Sequence, residues 1–181
     1  MKAAQQDIEL RKLKPEDAAW LSALAIKAYS EHYADTWYDN GAWYMNSYLS
    51  TARLQDELQQ PDSRFYGICY KKQAVGFLKI NIQKPLGAEP EALELERIYL
   101  TKQASGKGIG TCVMNFVFEQ ARAEQKKLVW LKVMDTNPDA VRFYSNLGFE
   151  ICGTHQVDFL QKKEGMRGMY VMQKNIGPPT L

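Results

Sequence analysis

A glycine-rich turn, Ser105-Gly106-Lys107-Gly108-Ile109-Gly110, lies between a predicted strand and a predicted helix. Glycine lets the backbone adopt positive φ and come close to a ligand. The helix that follows points its free N–H groups and the positive end of its dipole at the turn. Such a turn can bind an anion, above all a diphosphate, but the same residues also suit a tight strand–helix connection that binds nothing.

The spacing of the glycines tests two families of phosphate-binding loop. The P-loop pattern GxxxxGK[ST] does not occur in the sequence. A dinucleotide-binding GxGxxG pattern that starts at Gly106 needs its third glycine at Thr111. The turn also follows several predicted strands, whereas the dinucleotide pattern belongs to an early βαβ unit. A nicotinamide-dependent oxidoreductase is therefore disfavoured.

A second unusual segment runs from Glu31 to Tyr44 and contains five aromatic rings, three acids and no Lys or Arg. Tyr29, Tyr33 and Trp37 recur every four residues, and so do the acids Glu31, Asp35 and Asp39. If the first helix continues this far, the rings and the acids form stripes on neighbouring faces. Rings and carboxylates suit a cationic amine. The alternative is an aromatic cap on the core with a solvated acidic face.

Alternating and helical patterns predict the elements that position these segments. Four helical stretches are expected: one that begins at Pro15, a second over Ala42–Gln59, a third over Ile109–Gln125 and a fourth that begins at Asp135 and ends near Leu147. The expected strands are Ile8–Leu13, Arg64–Tyr70, Ala74–Ile82, Leu93–Thr101, Leu128–Met134, Ile151–Thr154 and Met169–Lys174.

The strand Leu93–Thr101 changes its apolar phase in the middle. Leu93 and Leu95 share one parity, whereas Ile98 and Leu100 share the other. A strand keeps a period of two unless an extra residue intrudes. We therefore expect a β-bulge near Glu96-Arg97, which would leave some backbone groups unpaired.

Length and composition exclude several classes of protein. The chain has 181 residues, 45% hydrophobic and 24% charged, which is typical of a globular domain. The net charge of +2 gives no electrostatic reason to expect nucleic acid or an anionic membrane as partner. We expect a single domain over residues 1–181 with a core of about 7–175. The N-terminus lacks the apolar stretch of a signal peptide, so a cytoplasmic protein is expected.

The cysteines and histidines give little sign of a metal site. Cys69, Cys112 and Cys152 are odd in number and widely spaced, so we expect reduced, mostly buried thiols instead of disulfides or a zinc site. His32 and His155 are the two histidines, and they are far apart in the sequence. No metal is expected.

Three motifs in order resemble the GNAT superfamily of N-acetyltransferases. They are the strand ELERIYL from Glu94 to Leu100, the glycine-rich turn, and a stretch from Asn137 to Phe149 that matches N-x-x-A-x-x-F-Y-x-x-x-G-F. The turn resembles the family pattern [QR]-x-x-G-x-[GA], except that Ser105 stands where Gln or Arg is usual. The resemblance implies an α/β (α+β) GNAT fold, with a mixed, mostly antiparallel sheet of six to seven strands and about four flanking helices.

The resemblance also implies how acetyl-CoA would bind as co-substrate. The turn would hold its diphosphate through Ser105, Gly106, Lys107, Gly108, Ile109, Gly110 and Thr111. The pantetheine arm would extend the sheet along the bulged strand, at Ile98, Tyr99 and Leu100. Asn137 would hydrogen-bond the arm, although an Asn before Pro138 is equally suited to cap the helix.

Catalytic roles are implied for three side chains. Tyr144 would contact the cofactor and donate a proton to the leaving thiolate; the alternative is a buried ring with a paired hydroxyl. Glu94 or Glu96 would accept the proton of the attacking amine, or each would pair with Arg97 or a surface Lys while water carries the proton. We therefore leave the identity of the base open.

The resemblance and the acidic aromatic segment together predict a class of acceptor. Within the family the chain is most similar to bacterial spermidine/spermine acetyltransferases, and the acidic aromatic segment borders the acceptor site by family position. A polyamine or another small cationic amine, held by Glu31, Tyr33, Asp35 and Trp37, is therefore predicted. Acetylation of a protein or peptide amine, and a non-catalytic acyl-CoA sensor, stay as alternatives, and the assembly is open to a homodimer.

Overall fold

A seven-stranded sheet organises residues 7–177, which are the residues that the computed structural model describes. Its strands are β1 (Ile8–Lys12), β2 (Ser63–Tyr70), β3 (Gln73–Asn81), β4 (Ala92–Leu100), β5 (Leu128–Met134), β6 (Glu150–Gln156) and β7 (Gly168–Asn175). They lie in the order β1-β2-β3-β4-β5-β7-β6. Only β4 and β5 pair in parallel, so the expected mixed and mostly antiparallel sheet is confirmed.

The described residues form five α-helices, one more than the approximate number predicted. They are α1 (Ala18–Tyr33), α2 (Ala42–Tyr48), α3 (Thr51–Leu58), α4 (Ile109–Ala123) and α5 (Pro138–Asn146). The difference arises because the stretch predicted as one helix over Ala42–Gln59 is two. Ser50 is extended there, and its hydroxyl accepts a hydrogen bond from the N–H of Arg53 and so starts α3.

The first helix is shorter than the striped pattern requires. α1 ends at Tyr33, the turn Ala34–Thr36 is a 3₁₀ helix, and Trp37 has extended backbone angles. The condition for an aromatic and an acidic stripe, a helix that continues through Asp39, is therefore not met. The positions of these side chains follow from the loop, not from helical periodicity.

Hydrophobic side chains cover both faces of the sheet. On one face, β2 to β5 pack against α4, whose buried residues include Val113, Val117 and Ala121. On the other face, Phe65 and Phe77 pack against α1, α3 and the loop of Trp37. The sheet therefore separates two hydrophobic cores. A ligand can reach the middle of the sheet only where neighbouring strands separate.

The described residues contain no helix long and apolar enough to cross a membrane. They also contain no group of three metal-ligating side chains close enough to hold an ion. All three cysteines are free thiols, but the expectation that they are mostly buried is wrong. Cys69 and Cys112 are half-buried, and Cys152 is exposed because it lies on β6, the edge strand of the sheet.

Candidate active site

Strands β4 and β5 separate in the middle of the sheet. Their parallel pairing runs from Ala92–Leu128 to Leu95–Leu131 and then stops, although both strands continue for several residues. A cavity of about 470 Å³ lies at this separation. The separated strands form two of its walls, and side chains of α1, α2, α5 and the β6–β7 connection complete it. This volume is in the range of small-molecule sites in proteins.

The bulge predicted in β4 is confirmed. Lys79 of β3 lies opposite Arg97, and Ile80 lies opposite Leu95, so Glu96 is the extra residue without a partner. The bulge restores the apolar phase, because Leu93, Leu95, Ile98 and Leu100 all contact the same core. Beyond it, residues 98–100 pair with β3 on one edge, while β5 no longer pairs with their other edge.

The glycine-rich turn is open toward solvent. Gly106 and Gly108 have φ angles of 73° and 77°, and no atom lies within 4 Å of the position that a Cβ would take at either residue. Helix α4 begins directly afterwards, so the first N–H groups of the helix face the turn without a helical partner. Gly110 differs, because a Cβ there would lie 3.2 Å from the ring of Phe143. The turn thus combines free N–H groups with room for an anion.

Other side chains of the turn point in different directions. Ser105 and Thr111 are exposed, whereas Ile109 is buried in the core, so Ile109 can offer a ligand only its backbone. The Lys107 ammonium lies 5.0 Å from the centre of the Tyr70 ring. Among the described residues, those from 105 to 111 do not line the cavity between β4 and β5, which makes the turn and the cavity two separate parts of the site.

Helix α5 brings Asn137 and Tyr144 to the cavity. The Asn137 side chain accepts a hydrogen bond of 3.1 Å from the N–H of Ala140. Asn137 therefore caps the helix, which is one of the two roles predicted for it. The Tyr144 ring is 8% exposed and packs edge-on against Phe143 and Phe149. Its hydroxyl makes no hydrogen bond within residues 7–177, unlike the paired hydroxyl of the alternative interpretation. Burial, with a smaller effect of Tyr33, raises the pKa of Tyr144 and keeps its proton in place.

The two glutamates of β4 share one hydrogen-bond donor, but only Glu96 has cationic partners among residues 7–177. Asn81 donates hydrogen bonds of 2.8 Å to Glu94 and 2.7 Å to Glu96. Glu96 also forms ion pairs with Lys79 at 2.6 Å and with Arg97 at 3.0 Å. Burial disfavours its ionised form, but the charges of Arg97 and Lys79 outweigh that effect and lower the pKa of Glu96. Glu94 is 6% exposed, and Asn81 is its one side-chain hydrogen-bond partner among the described residues.

A buried network of charges fixes the bulge from the side of α3. The Glu57 carboxylate contacts Arg97 at 2.9 Å and Lys79 at 2.8 Å, and these two cations also contact Glu96. The charges of Arg97 and Lys79 lower the pKa of Glu57 despite its burial. Sequence reasoning missed Glu57 and Lys79. The lysine within the apolar strand VGFLKI was the signal, since a buried Lys requires a buried acid.

Aromatic rings form the wall of the cavity opposite β5. Tyr29 stacks on Tyr33 and Tyr44 with centroids 5.0 and 4.5 Å apart, and Tyr99 of β4 meets the same cluster. The Trp37 indole N–H donates a 2.8 Å hydrogen bond to the Tyr29 hydroxyl. Burial raises the pKa of Tyr29, Tyr33 and Tyr99. The predicted acceptor residues Tyr33 and Trp37 therefore do line the cavity.

The acids of the same segment are engaged elsewhere. The Glu31 carboxylate accepts a 2.7 Å hydrogen bond from the N–H of Lys102, in the loop after β4. Asp35 is exposed, and the Asp39 carboxylate caps α2 through the N–H groups of Gly41 and Trp43. Glu31 lies within α1 and its carboxylate bonds the loop after β4, whereas Asp35 lies in the 3₁₀ turn beyond the end of α1. Neither residue lines the cavity.

Lys162 lies in the cavity, although no pattern in the sequence predicts it there. It belongs to the β6–β7 connection, where Gln-Lys-Lys-Glu-Gly is typical of a solvated loop. The residue is 5% exposed, and its ammonium lies 4.5 Å from the centre of the Trp37 ring and 4.0 Å from the Met134 sulfur. Burial lowers the pKa of Lys162 to about 8.

Comparisons with known proteins agree with this geometry. The model of the acetyltransferase (GNAT) family matches residues 22–149. An uncharacterized N-acetyltransferase of Lactobacillus delbrueckii subsp. lactis is 32% identical over 148 residues, which cover 74% of this chain and 86% of that protein.

Solved structures share the fold at lower identity. PaiA N-acetyltransferase from Thermoplasma acidophilum, in complex with coenzyme A, has a TM-score of 0.70 and 23% identity over 93% of this chain and 98% of its own. Spermidine N-acetyltransferase from Vibrio cholerae, in complex with CoA and spermine, has a TM-score of 0.69 and 17% identity over 94% and 96%. The family match spans more than half of the sequence, and the chain belongs to the acetyltransferase (GNAT) family.

Proposed function

We propose that the protein transfers the acetyl group of acetyl-CoA to the primary amine of a small molecule by direct attack of the amine on the thioester. The observation that carries this proposal is the separation of β4 from β5, which leaves a strand edge unpaired beside a cavity that holds the Tyr144 hydroxyl. The family membership of the chain supports the same reaction.

The backbone supplies most of the cofactor site in this proposal. The N–H groups of the turn at Gly106 and Gly108 bind the diphosphate, with help from the dipole of α4. The pantetheine arm pairs with the free edge of Ile98 to Leu100 as an added strand. A backbone N–H next to the bulge then polarises the thioester carbonyl, as an oxyanion-hole donor does.

The side chains of the cavity move the protons. The amine nitrogen forms a bond to the carbonyl carbon, the carbon–sulfur bond breaks, and the leaving thiolate takes the proton of the Tyr144 hydroxyl, which solvent then restores. The attacking nitrogen gives its proton to Glu94, directly or through water. Glu94 suits this role better than Glu96, because two cations hold Glu96 as a stable carboxylate.

Polyamines are one candidate class of acceptor. The aromatic wall suits an alkylammonium group, and the Vibrio cholerae structure that shares the fold contains spermine. The acids Glu31 and Asp35, which are part of the predicted acceptor site, do not line the cavity. Spermidine is therefore one substrate to test among several amines. A cytoplasmic location and a homodimer stay predictions.

Ligand binding and turnover test the proposal together. Acetyl-CoA at 100 times its Kd should stabilise the protein by about 2.7 kcal/mol, whereas NAD(H) and ATP should not. Release of free CoA should then depend on an added amine. Stabilisation by NAD(H) alone would overturn the proposal.

The Tyr144→Phe variant distinguishes an enzyme from an acyl-CoA sensor. Loss of the proton donor should lower kcat by about 100-fold, while the thermal stabilisation by acetyl-CoA stays unchanged. Tyr38→Phe is the control, because Tyr38 is exposed and does not line the cavity. Equal rates for the two variants would remove Tyr144 from the mechanism.

A further inference from the structure

The cavity contains a buried cation that has no anionic partner. Lys162 is 5% exposed, and its ammonium contacts a ring face and a thioether sulfur. No carboxylate of residues 7–177 lies within ion-pair distance of it. A buried charge is costly unless an opposite charge or several hydrogen bonds compensate it. The low pKa of about 8 reflects that incomplete compensation.

The rest of the molecule shows that this is an exception. Lys79 and Arg97, which are buried to a similar extent, each contact two carboxylates. The half-buried Lys174 also has an oxygen partner, because its ammonium donates a 2.7 Å hydrogen bond to the carbonyl of Leu147. Lys162 therefore has the environment of a group whose partner arrives with a ligand.

The phosphates of the cofactor are poorly placed to be the anion that pairs with Lys162, because in the proposed complex they lie at the glycine-rich turn. The glycine-rich turn that suits a diphosphate does not line the cavity, whereas Lys162 lies in the cavity beside its aromatic wall. The same cavity contains Glu94, a buried carboxylate without a cationic partner among the described residues. One unpaired charge of each sign thus faces the space available to an acceptor.

We propose that the acceptor carries a negatively charged group in addition to its amine, as an amino acid does, and that Lys162 binds that group while Glu94 receives the amine. The inference rests on the proposed acetyl transfer and names its class of substrate. Trp37 holds the lysine in place through its ring face, and the Tyr29 hydroxyl fixes Trp37 by accepting its N–H. A polyamine would meet the same ammonium as a like charge.

Matched pairs of amines test this assignment. Lysine and cadaverine differ by one carboxylate, and so do phenylalanine and phenethylamine. The value of kcat/KM is measured for each amine with wild-type protein, Lys162→Met, Lys162→Arg and Lys163→Met. Lys163 is the control, because its ammonium contacts the backbone carbonyl of Asp35 and the residue does not line the cavity.

We expect wild-type protein to prefer the carboxylate-bearing member of each pair by about 30-fold or more, since removal of one partner of a buried charge pair has an effect of that size. Lys162→Met should abolish the preference, because it should lower kcat/KM for the carboxylate-bearing amine far more than for its decarboxylated partner. Lys162→Arg should keep part of it, and Lys163→Met all of it. A wild-type preference for the decarboxylated amines or spermidine, or a ratio that Lys162→Met leaves unchanged, would overturn the inference.

Binding separates this inference from the proposed reaction. Calorimetric titration of lysine and cadaverine into the CoA complex reports recognition even when no acetyl group is transferred. Tighter binding of lysine that Lys162→Met removes supports the inference without turnover. Equal binding of the two, or binding of neither, contradicts it. Turnover of cadaverine but not lysine would keep the acetyltransferase and reject the acidic acceptor.

Discussion

Two groups of buried charges lie near the bulge of β4, and they are satisfied in opposite ways. Glu57, Lys79, Glu96 and Arg97 form a closed network in which every charge contacts two of the opposite sign. Glu94 and Lys162, in the cavity, have no such partner among the described residues. The closed network maintains the shape of the backbone, and the open pair is available to a ligand.

The largest effect is expected from opening the closed network. Glu57→Ala leaves Arg97 and Lys79 with Glu96 as their single carboxylate, and loss of one partner of a buried ion pair typically costs about 3–5 kcal/mol. The free energy of unfolding from urea denaturation measures this loss. A decrease below about 1 kcal/mol would show that the network contributes little to stability.

Lys162→Met should change the free energy of unfolding in the opposite direction. Methionine has a similar volume and no charge to bury, so the variant should be more stable than wild type by roughly 1–3 kcal/mol at pH 7. The same substitution should impair acceptor recognition, which would make Lys162 a site where function opposes stability. Denaturation of both proteins at one pH checks the sign, and a destabilised variant would contradict it.

The pH dependence of this difference is also fixed by the pKa of Lys162. Its pKa is about 8 in the folded chain against an ordinary value of 10.5, so the unfolded chain binds the proton more tightly. The stability of wild type relative to Lys162→Met should therefore rise as pH increases from about 8 to 10.5, and stay constant below about 7. Thermal denaturation of the two proteins across that range measures it; a constant difference would contradict the low pKa.

The smallest effect is expected at the rim of the closed network. Arg53 contacts Glu57 at 2.8 Å, but its side chain is half exposed and Glu57 already has two buried cations. Arg53→Ala should lower stability by less than about 1 kcal/mol, as is usual for exposed ion pairs. A loss as large as that of Glu57→Ala would mean that the network extends to the surface.

The elements around the predicted cofactor site could be predicted from the sequence because their signals are local. The change of phase between Leu95 and Ile98 located the bulge, and Asn-Pro located the start of α5. Strand β5 was predicted with the bounds that the structure shows. Each of these signals depends on neighbours a few residues away, and so no knowledge of the tertiary structure was needed.

The acceptor side could not be predicted in the same way because its partners are distant in the chain. Glu31 bonds a residue 71 positions away, and Glu57 bonds one 40 positions away. The periodic pattern places Glu31, Asp35 and Asp39 on one stripe only if α1 continues through Asp39, and α1 ends at Tyr33. Lys162 has the local sequence of a surface loop, and only the packing of Trp37 against it shows that it is buried.

The separation of β4 from β5 also has a mechanical consequence. In the described residues, the four pairs from Ala92–Leu128 to Leu95–Leu131 are the whole ladder between a four-stranded leaf and a three-stranded leaf of the sheet. The two leaves are therefore joined by these four pairs and by the hydrophobic core that β4, β5 and α4 share. In the proposed complex, the pantetheine arm along Ile98 to Leu100 adds strand pairing where the ladder between β4 and β5 ends.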